Sequence, residues 1–126
     1  MMKKTNNLPE LQAHYKLWLS LKNGEGILGD GKWLLLQTIN ELGSISKAGE
    51  KLRISYRKAW GDLRTIELLL GISILEKTRG GASGGSTILT EKGIQLIKEY
   101  ARFHEDFEKS FQKSFAKFNE NLKKIE

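Results

Sequence analysis

The sequence predicts a mainly α fold with a small β component, on three observations. Apolar residues recur at helical spacing in four stretches, near residues 30–42, 44–52, 55–70 and 91–126. Breakers and capping residues punctuate the gaps between them: Gly43-Ser44, Ser55, Gly71 and Thr90. After the third stretch, two short apolar runs flank a glycine-laden loop, Gly80-Gly81-Ala82-Ser83-Gly84-Gly85. Two short helices joined by a tight turn and followed by such a hairpin make a winged helix-turn-helix. Here it carries an N-terminal strand or hairpin and a long C-terminal helix.

Taken in order, residues 1–12 read as loosely ordered, because Thr5, Asn6, Asn7 and Pro9 discourage regular structure. Tyr15, Leu17, Leu19 and Leu21 alternate with Lys16, Trp18, Ser20 and Lys22, the pattern of a half-buried strand. Asn23-Gly24 marks a turn, and Ile27-Leu28 pairs back as a short second strand. Asp30 is the expected cap of a first helix running to Leu42, with Leu34, Leu35, Thr38, Ile39 and Leu42 on its core face.

Gly43 breaks that helix, and Ser44 can accept a hydrogen bond from an unpaired N–H of the next. Ile45, Ala48, Gly49 and Leu52 then fall on one face. The small centre, Ala48 and Gly49, lets a second helix cross closely. Arg53-Ile54 makes the turn, with Ile54 the expected buried plug, and Ser55 caps the following helix. At about 100° per residue that helix places Ala59, Leu63, Ile66 and Leu70 on the core side. Arg57, Gly61, Arg64 and Leu68 form the opposite stripe, flanked by Lys58 and Thr65. Tyr56 falls toward the buried side, and Trp60 is assigned to packing.

Gly71 is a natural stop. Ile74 to Thr78 and Thr87 to Leu89 are the expected arms of the hairpin, and Thr90 caps the last helix with Glu91 suited to its dipole. A helix from Glu91 to Glu126 would be roughly 54 Å long at about 1.5 Å per residue. Its apolar seam is Ile94, Ile97, Ala101, Phe111, Phe115, Phe118, Leu122 and Ile125, with His104 and Glu108 in the middle and Phe103 and Phe107 beside it. The domain expectation is a winged helix-turn-helix over residues 1–90 (helix-turn-helix 44–70, wing 74–89) and a dimerisation helix over 91–126.

Charge points to a polyanion. Residues 1–90 hold 13 Lys and Arg against 8 Asp and Glu, so most of the net +6 lies beside the helix-turn-helix. Arg57 and Lys58 stand in a first helical turn, where cations oppose the helix dipole. A duplex is a reason to tolerate them, since Arg grips guanine O6 and N7 with two bonds. A solvated basic face is the plainer alternative. Gly61 costs about 1 kcal/mol against Ala in a helix interior. It either lets a groove come close to bare backbone or relieves crowding beside Trp60; sequence leaves both open.

Several chemistries find no support. There is no cysteine, hence no disulfide, thiolate metal site or cysteine nucleophile. His14 and His104 have no neighbouring ligand, so no metal is expected. No Ser/His/Asp set or inward carboxylate pair emerges from spacing, so neither catalytic residues nor a cofactor is assigned. The glycine loop lacks the Lys-Ser/Thr ending of a phosphate-binding P-loop. No apolar run of membrane-spanning length or secretory signal is seen, so no membrane partner is assigned and a cytoplasmic location is expected.

At these residues the chain resembles the DNA-binding domain of ModE-type molybdate-responsive regulators, a relative of the LysR-type winged helix. The matching pieces are Gly43-Ser44-Ile45-Ser46, Ile54-Ser55-Tyr56-Arg57-Lys58-Ala59-Trp60, the Gly80-Gly81 and Gly84-Gly85 wing, and Leu89-Thr90-Glu91-Lys92-Gly93. LysR regulators usually begin almost directly with the first helix, whereas this chain has a strand-like segment before it, as ModE does. The resemblance covers roughly residues 15–110 and implies a dimeric DNA-binding regulator linked to molybdenum uptake or use. A full-length ModE carries oxyanion-binding domains after the long helix. This sequence runs to Glu126, is expected to lack them, and holds no residue that matches a molybdate site. Whether a separate molybdate-binding protein supplies the sensor stays open.

The expected reading is therefore a homodimeric transcription regulator that binds double-stranded DNA and is not an enzyme. Carried over by position, Ser55, Tyr56, Arg57, Lys58 and Arg64 belong to the recognition helix, and Lys77, Arg79 and Ser83 to the wing. Arg57 and Arg64 are assigned to base readout. Lys47, Lys51, Lys77 and Arg79 are assigned to phosphate, with Ser44 and Gly61 close to the duplex. Ile94, Ile97, Ala101, His104, Phe107, Phe111, Phe115, Phe118, Leu122 and Ile125 form the expected dimer contact. Two rivals are a protein-interaction module using the same helices and a small enzyme or ligand-binding protein; for the long helix the alternative is one folded back on its own core.

Overall fold

The computed structural model describes residues 8–77 and 87–125. In chain order the elements are β1 (Trp18–Ser20), β2 (Gly26–Gly29), α1 (Asp30–Leu42), α2 (Ile45–Leu52), α3 (Tyr56–Leu70), β3 (Leu75–Lys77), β4 (Thr87–Leu89) and α4 (Glu91–Leu122). The strands form two antiparallel hairpins, β1 with β2 and β3 with β4. Two compact units emerge: Leu17–Ala101, and the described parts of Met1–Lys16 with Arg102–Glu126.

The first unit is built on one apolar core. Leu28, Leu35, Leu36, Ile39, Ile45, Leu63, Ile66 and Ile74 are fully buried there. They come from β2, α1, α2, α3 and the entry to β3, so each helix buries one stripe against the others. The opening half of α4 belongs to the same core. Gly93 and Tyr100 are buried, and the Tyr100 hydroxyl lies 3.2 Å from Asp30 Oδ1 and 3.3 Å from the Leu17 carbonyl oxygen.

Local signals set the boundaries. The Lys47 N–H donates to Ser44 Oγ at 3.1 Å, and the Lys58 N–H to Ser55 Oγ at 3.0 Å. Gly43 and Gly71 end α1 and α3 in the left-handed conformation (φ 73° and 70°) that glycine adopts without strain. Thr90 Oγ1 accepts from the Gly93 N–H at 3.1 Å and donates to the Ser73 carbonyl at 2.7 Å. One hydroxyl thus caps α4 and ties it to the segment before β3. The Asn23-Gly24 turn forms as the sequence predicts, with the Leu21 N–H donating to the Glu25 carbonyl at 2.8 Å.

Some expectations are corrected. Asp30 does not cap α1: Gly29 holds the cap position without a side-chain bond, and Asp30 is the first helical residue. The strand expected over 15–22 is only Trp18–Ser20, and it presents Trp18 and Leu19 to solvent. Leu34 is exposed instead of buried, with Leu36 taking its place in the core. Leu70 is 38% exposed, because α3 has run past the core there and Leu69 packs instead. Ile54 is half-buried, and it plugs the turn through its backbone as much as its side chain. Its N–H donates to the Gly49 carbonyl at 2.9 Å, and a Cβ on Gly49 would sit 2.9 Å from the Ile54 carbonyl oxygen. Gly49, in the small centre of α2, therefore admits the turn.

In the second unit Tyr15 lies on the closing half of α4. Its ring meets Phe107 edge-on (centroids 4.9 Å apart) and Phe111 at a tilt (4.5 Å), with His104 at 6.3 Å. Its hydroxyl bonds to Glu108, which also accepts from Gln112 at 2.8 Å. These bonds from Tyr15 and Gln112 outweigh slight burial and hold the Glu108 carboxyl below its usual range. Tyr15 is thus a packing residue of this unit, not part of β1. Phe118 and Ile125 stay exposed at 57% and 69%, and Ile125 lies beyond the end of α4. Among the described residues no helix is long and apolar enough to cross a membrane.

Candidate nucleic-acid interface

One face of the first unit collects cations and bare backbone. On α3, Tyr56, Arg57, Lys58, Gly61, Arg64 and Leu68 all point to solvent. Tyr56 is 54% exposed and not turned inward, because the first turn of α3 stands clear of the core. No acidic residue occupies that turn, so Arg57 and Lys58 face the positive end of the helix dipole without local compensation. Lys58 reaches Asp62 one turn on, at 3.2 Å. Among the described residues Arg57 has no ion-pair partner.

A Cβ built at Gly61 meets nothing within 4 Å outside its two chain neighbours and its own helix's backbone, so no other element of the fold crowds the glycine. It leaves α3 with bare backbone in the middle of its outward stripe, between Arg57 and Arg64. Trp60 packs as assigned, half-buried against the core, with the Lys77 ammonium 5.8 Å from its ring centroid.

On α2 and its flanks, Ser44, Lys47 and Lys51 behave differently. Ser44 spends its hydroxyl on the cap. Lys47 is exposed without an ion-pair partner among the described residues, and Lys51 is 3.4 Å from Glu41. That pair is more than half exposed on both sides, and such pairs contribute little. Arg53, which sequence reasoning passed over, occupies the turn between α2 and α3 in the left-handed region (φ 60°) and is exposed. Only a position-specific count of cations around the turn could have found it.

Arg64 is the most constrained cation of the face. Its Nη1 donates to Glu67 Oε1 at 2.9 Å. Glu67 Oε2 accepts the backbone N–H groups of Ile74 and Leu75, at 2.9 and 3.0 Å. Burial pushes the Glu67 carboxyl up, but those two amides and the Arg64 guanidinium together outweigh it and hold the carboxyl below its usual range. Sequence reasoning missed Glu67 altogether. The hairpin beside it pairs Leu75 with Leu89, Glu76 with Ile88 and Lys77 with Thr87. Arg79, Ser83 and the glycines of the wing tip lie outside the described residues. No group of three or more His, Cys, Asp or Glu able to hold a metal ion occurs among the described residues.

Three helices, a capped tight turn and a following antiparallel hairpin define a winged helix-turn-helix, with α3 in the recognition position. Residues 32–94 match the family described as bacterial regulatory helix-turn-helix protein, lysR family, and the chain belongs to that family. Among curated proteins it is 33% identical over 90 residues to the molybdenum-pterin-binding protein MopB of Rhodobacter capsulatus, covering 69% of this chain and 33% of that one. It is 31% identical over 86 residues to the transcriptional regulator ModE of Haemophilus influenzae (68% and 34%). Over 97 residues it is 31% identical to the DNA-binding transcriptional dual regulator ModE of Escherichia coli K12 (76% and 37%). The chain thus spans about a third of the length of these relatives. Among solved structures it resembles the CbnR DNA-binding domain in a DNA complex, with 22% identity, a TM-score of 0.53 and coverage of 68% and 93%. It also resembles a variant of Lactococcus lactis ZitR, with 21% identity, a TM-score of 0.51 and coverage of 91% and 77%. At these identities the likeness concerns the fold alone.

Proposed function

We propose that this chain is a sequence-specific DNA-binding transcription regulator whose α3 enters a major groove while the β3–β4 wing reaches the flanking backbone. The observation that carries the reading is the outward stripe of α3: an Arg57 with no ion-pair partner among the described residues, a bare Gly61 and an exposed Tyr56. Arg57 reads a base edge, Arg64 contributes a second contact, and Ser55 and Lys58 line the approach. Lys47, Lys51, Arg53, Lys77 and Arg79 position the protein on phosphate.

The active species in this proposal is a homodimer joined through the closing half of α4, whose opening half, with Ile94 and Ile97, packs against the core of the DNA-binding unit Leu17–Ala101. Phe118, 57% exposed near the end of α4, supports it, since a large apolar side chain left in solvent there suits burial by a partner. Two recognition helices then meet half-sites of a pseudo-palindrome, roughly 34–36 Å apart or a multiple of that. Similarity to ModE and MopB supports genes of molybdenum uptake or use as the targets.

A mobility-shift titration across salt concentrations, with excess non-specific competitor, tests the proposal. These five phosphate contacts per subunit give a slope of log affinity against log salt of roughly −9 for a dimer. A flat salt response, or complete loss to competitor, favours a protein-docking role for the same helices instead.

A further inference from the structure

Glu67 makes three hydrogen bonds with one carboxylate, and they lead to different parts of the fold. Its side chain is 11% exposed, whereas the Arg64 side chain is 51% exposed. Oε2 is spent on the Ile74 and Leu75 amides where β3 begins; Oε1 is spent on the Arg64 guanidinium. A guanidinium has five donors in a rigid fork, so one bond to Glu67 fixes its plane and leaves other N–H groups for a second acceptor. The Lys77 ammonium over the Trp60 ring is another tie between the same helix and hairpin.

We propose that Glu67 is a positioning residue for DNA recognition, one that fixes the Arg64 guanidinium and the root of the wing against each other so that the two contact the duplex as a single unit. The inference rests on the DNA-binding reading above. It assigns to a carboxylate on a DNA-facing helix a role that its charge alone would oppose, since a bare anion there repels phosphate. Glu67 is tolerated because its charge is spent on Arg64 and two amides.

The chemistry supplies a substitution that cuts one tie and keeps the other. In Glu67→Gln the amide oxygen still accepts from Ile74 and Leu75. The amide NH2 then faces Arg64, donor against donor, and the fork is released. The test compares affinity for a duplex selected from random-sequence DNA by the wild-type chain with affinity for poly(dI-dC). In E67Q the ratio of specific to non-specific affinity falls by roughly five- to tenfold, the low end for one base contact. Non-specific affinity holds or rises, because a negative charge has gone. In an Arg64→Ala background the same substitution leaves the ratio unchanged.

An E67Q ratio equal to wild type overturns the proposal. So does a parallel fall in both affinities, or an equal effect with and without Arg64. Should E67Q not fold, Arg64→Ala decides: the amide tie is intact there, and an unchanged ratio overturns the role. A wild-type chain that selects no sequence has a ratio near one, which removes the DNA reading itself and this role with it. A selective wild type with an E67Q variant equally selective removes this role only.

Discussion

Replacing Gly61 by Ala moves two properties of this protein in opposite directions. A Cβ at Gly61 has nothing within 4 Å beyond its chain neighbours and its own helix's backbone, so the substitution meets no resistance from the rest of the fold. The residue sits at the sixth position of the 15-residue α3, with helical neighbours on both sides. Alanine there recovers about 0.8–1 kcal/mol of helix propensity, partly by restricting the unfolded chain. For a domain of this size that raises Tm by roughly 4–8 °C. Against DNA the sign reverses. If the bare backbone lies against the duplex, an added methyl at a packed contact costs about 1–3 kcal/mol, a loss of roughly five- to hundredfold in specific affinity. Thermal unfolding followed by circular dichroism measures the first effect, and titration of a labelled duplex at fixed salt measures the second. A more stable variant with unchanged affinity would refute the placement of Gly61 against DNA. A less stable variant would refute the packing argument.

Arg57→Ala should cost about 1–3 kcal/mol at the cognate site and relax selection at one base pair, read by repeating the selection with the variant; equal weakening on all duplexes reassigns Arg57 to phosphate. Gly49→Ala forces a Cβ to 2.9 Å from the Ile54 carbonyl, so denaturant unfolding should show a net loss of about 1–2 kcal/mol despite the better helix former. Acid should erode the Glu67 contribution: its folded carboxyl is held below the usual range, so the stabilisation is complete above the ordinary glutamate value of roughly 4.3 and disappears as pH falls through the lower folded value. The stability gap between wild type and Glu67→Gln should therefore narrow on acidification, and a gap independent of pH contradicts the assignment. Phe118→Glu places a charge on an exposed phenylalanine of the α4 stripe and should shift sedimentation from dimer toward monomer; an unchanged dimer would locate the contact elsewhere.

Local chemistry made much of the fold legible. Ser44, Ser55 and Thr90 cap helices because a hydroxyl reaches an amide three residues on, and that geometry is written in the spacing. Gly43 and Gly71 are equally local. Helix ends were less legible, because exposure there depends on how far the packed partners extend. Tyr56 and Leu70 sit at opposite ends of α3, and both were expected inward and found outward. Gly61 needed coordinates, since only they show that no other element of the fold crowds it. Glu67 had no sequence signature: its partners are backbone amides seven and eight residues on, brought back by the turn after Gly71. Tyr15 bonds a residue 93 positions away, and its alternation with apolar neighbours suggested a strand instead.

Genomic fragments retained by the full chain, sequenced and then footprinted, test the DNA-binding claim most directly. The account predicts enrichment of a shared, near-palindromic sequence, with two protected major-groove segments separated by one or two helical turns and genes of molybdenum uptake or use nearby. Recovery of fragments in proportion to their abundance, with no protected segment at low salt, would contradict it.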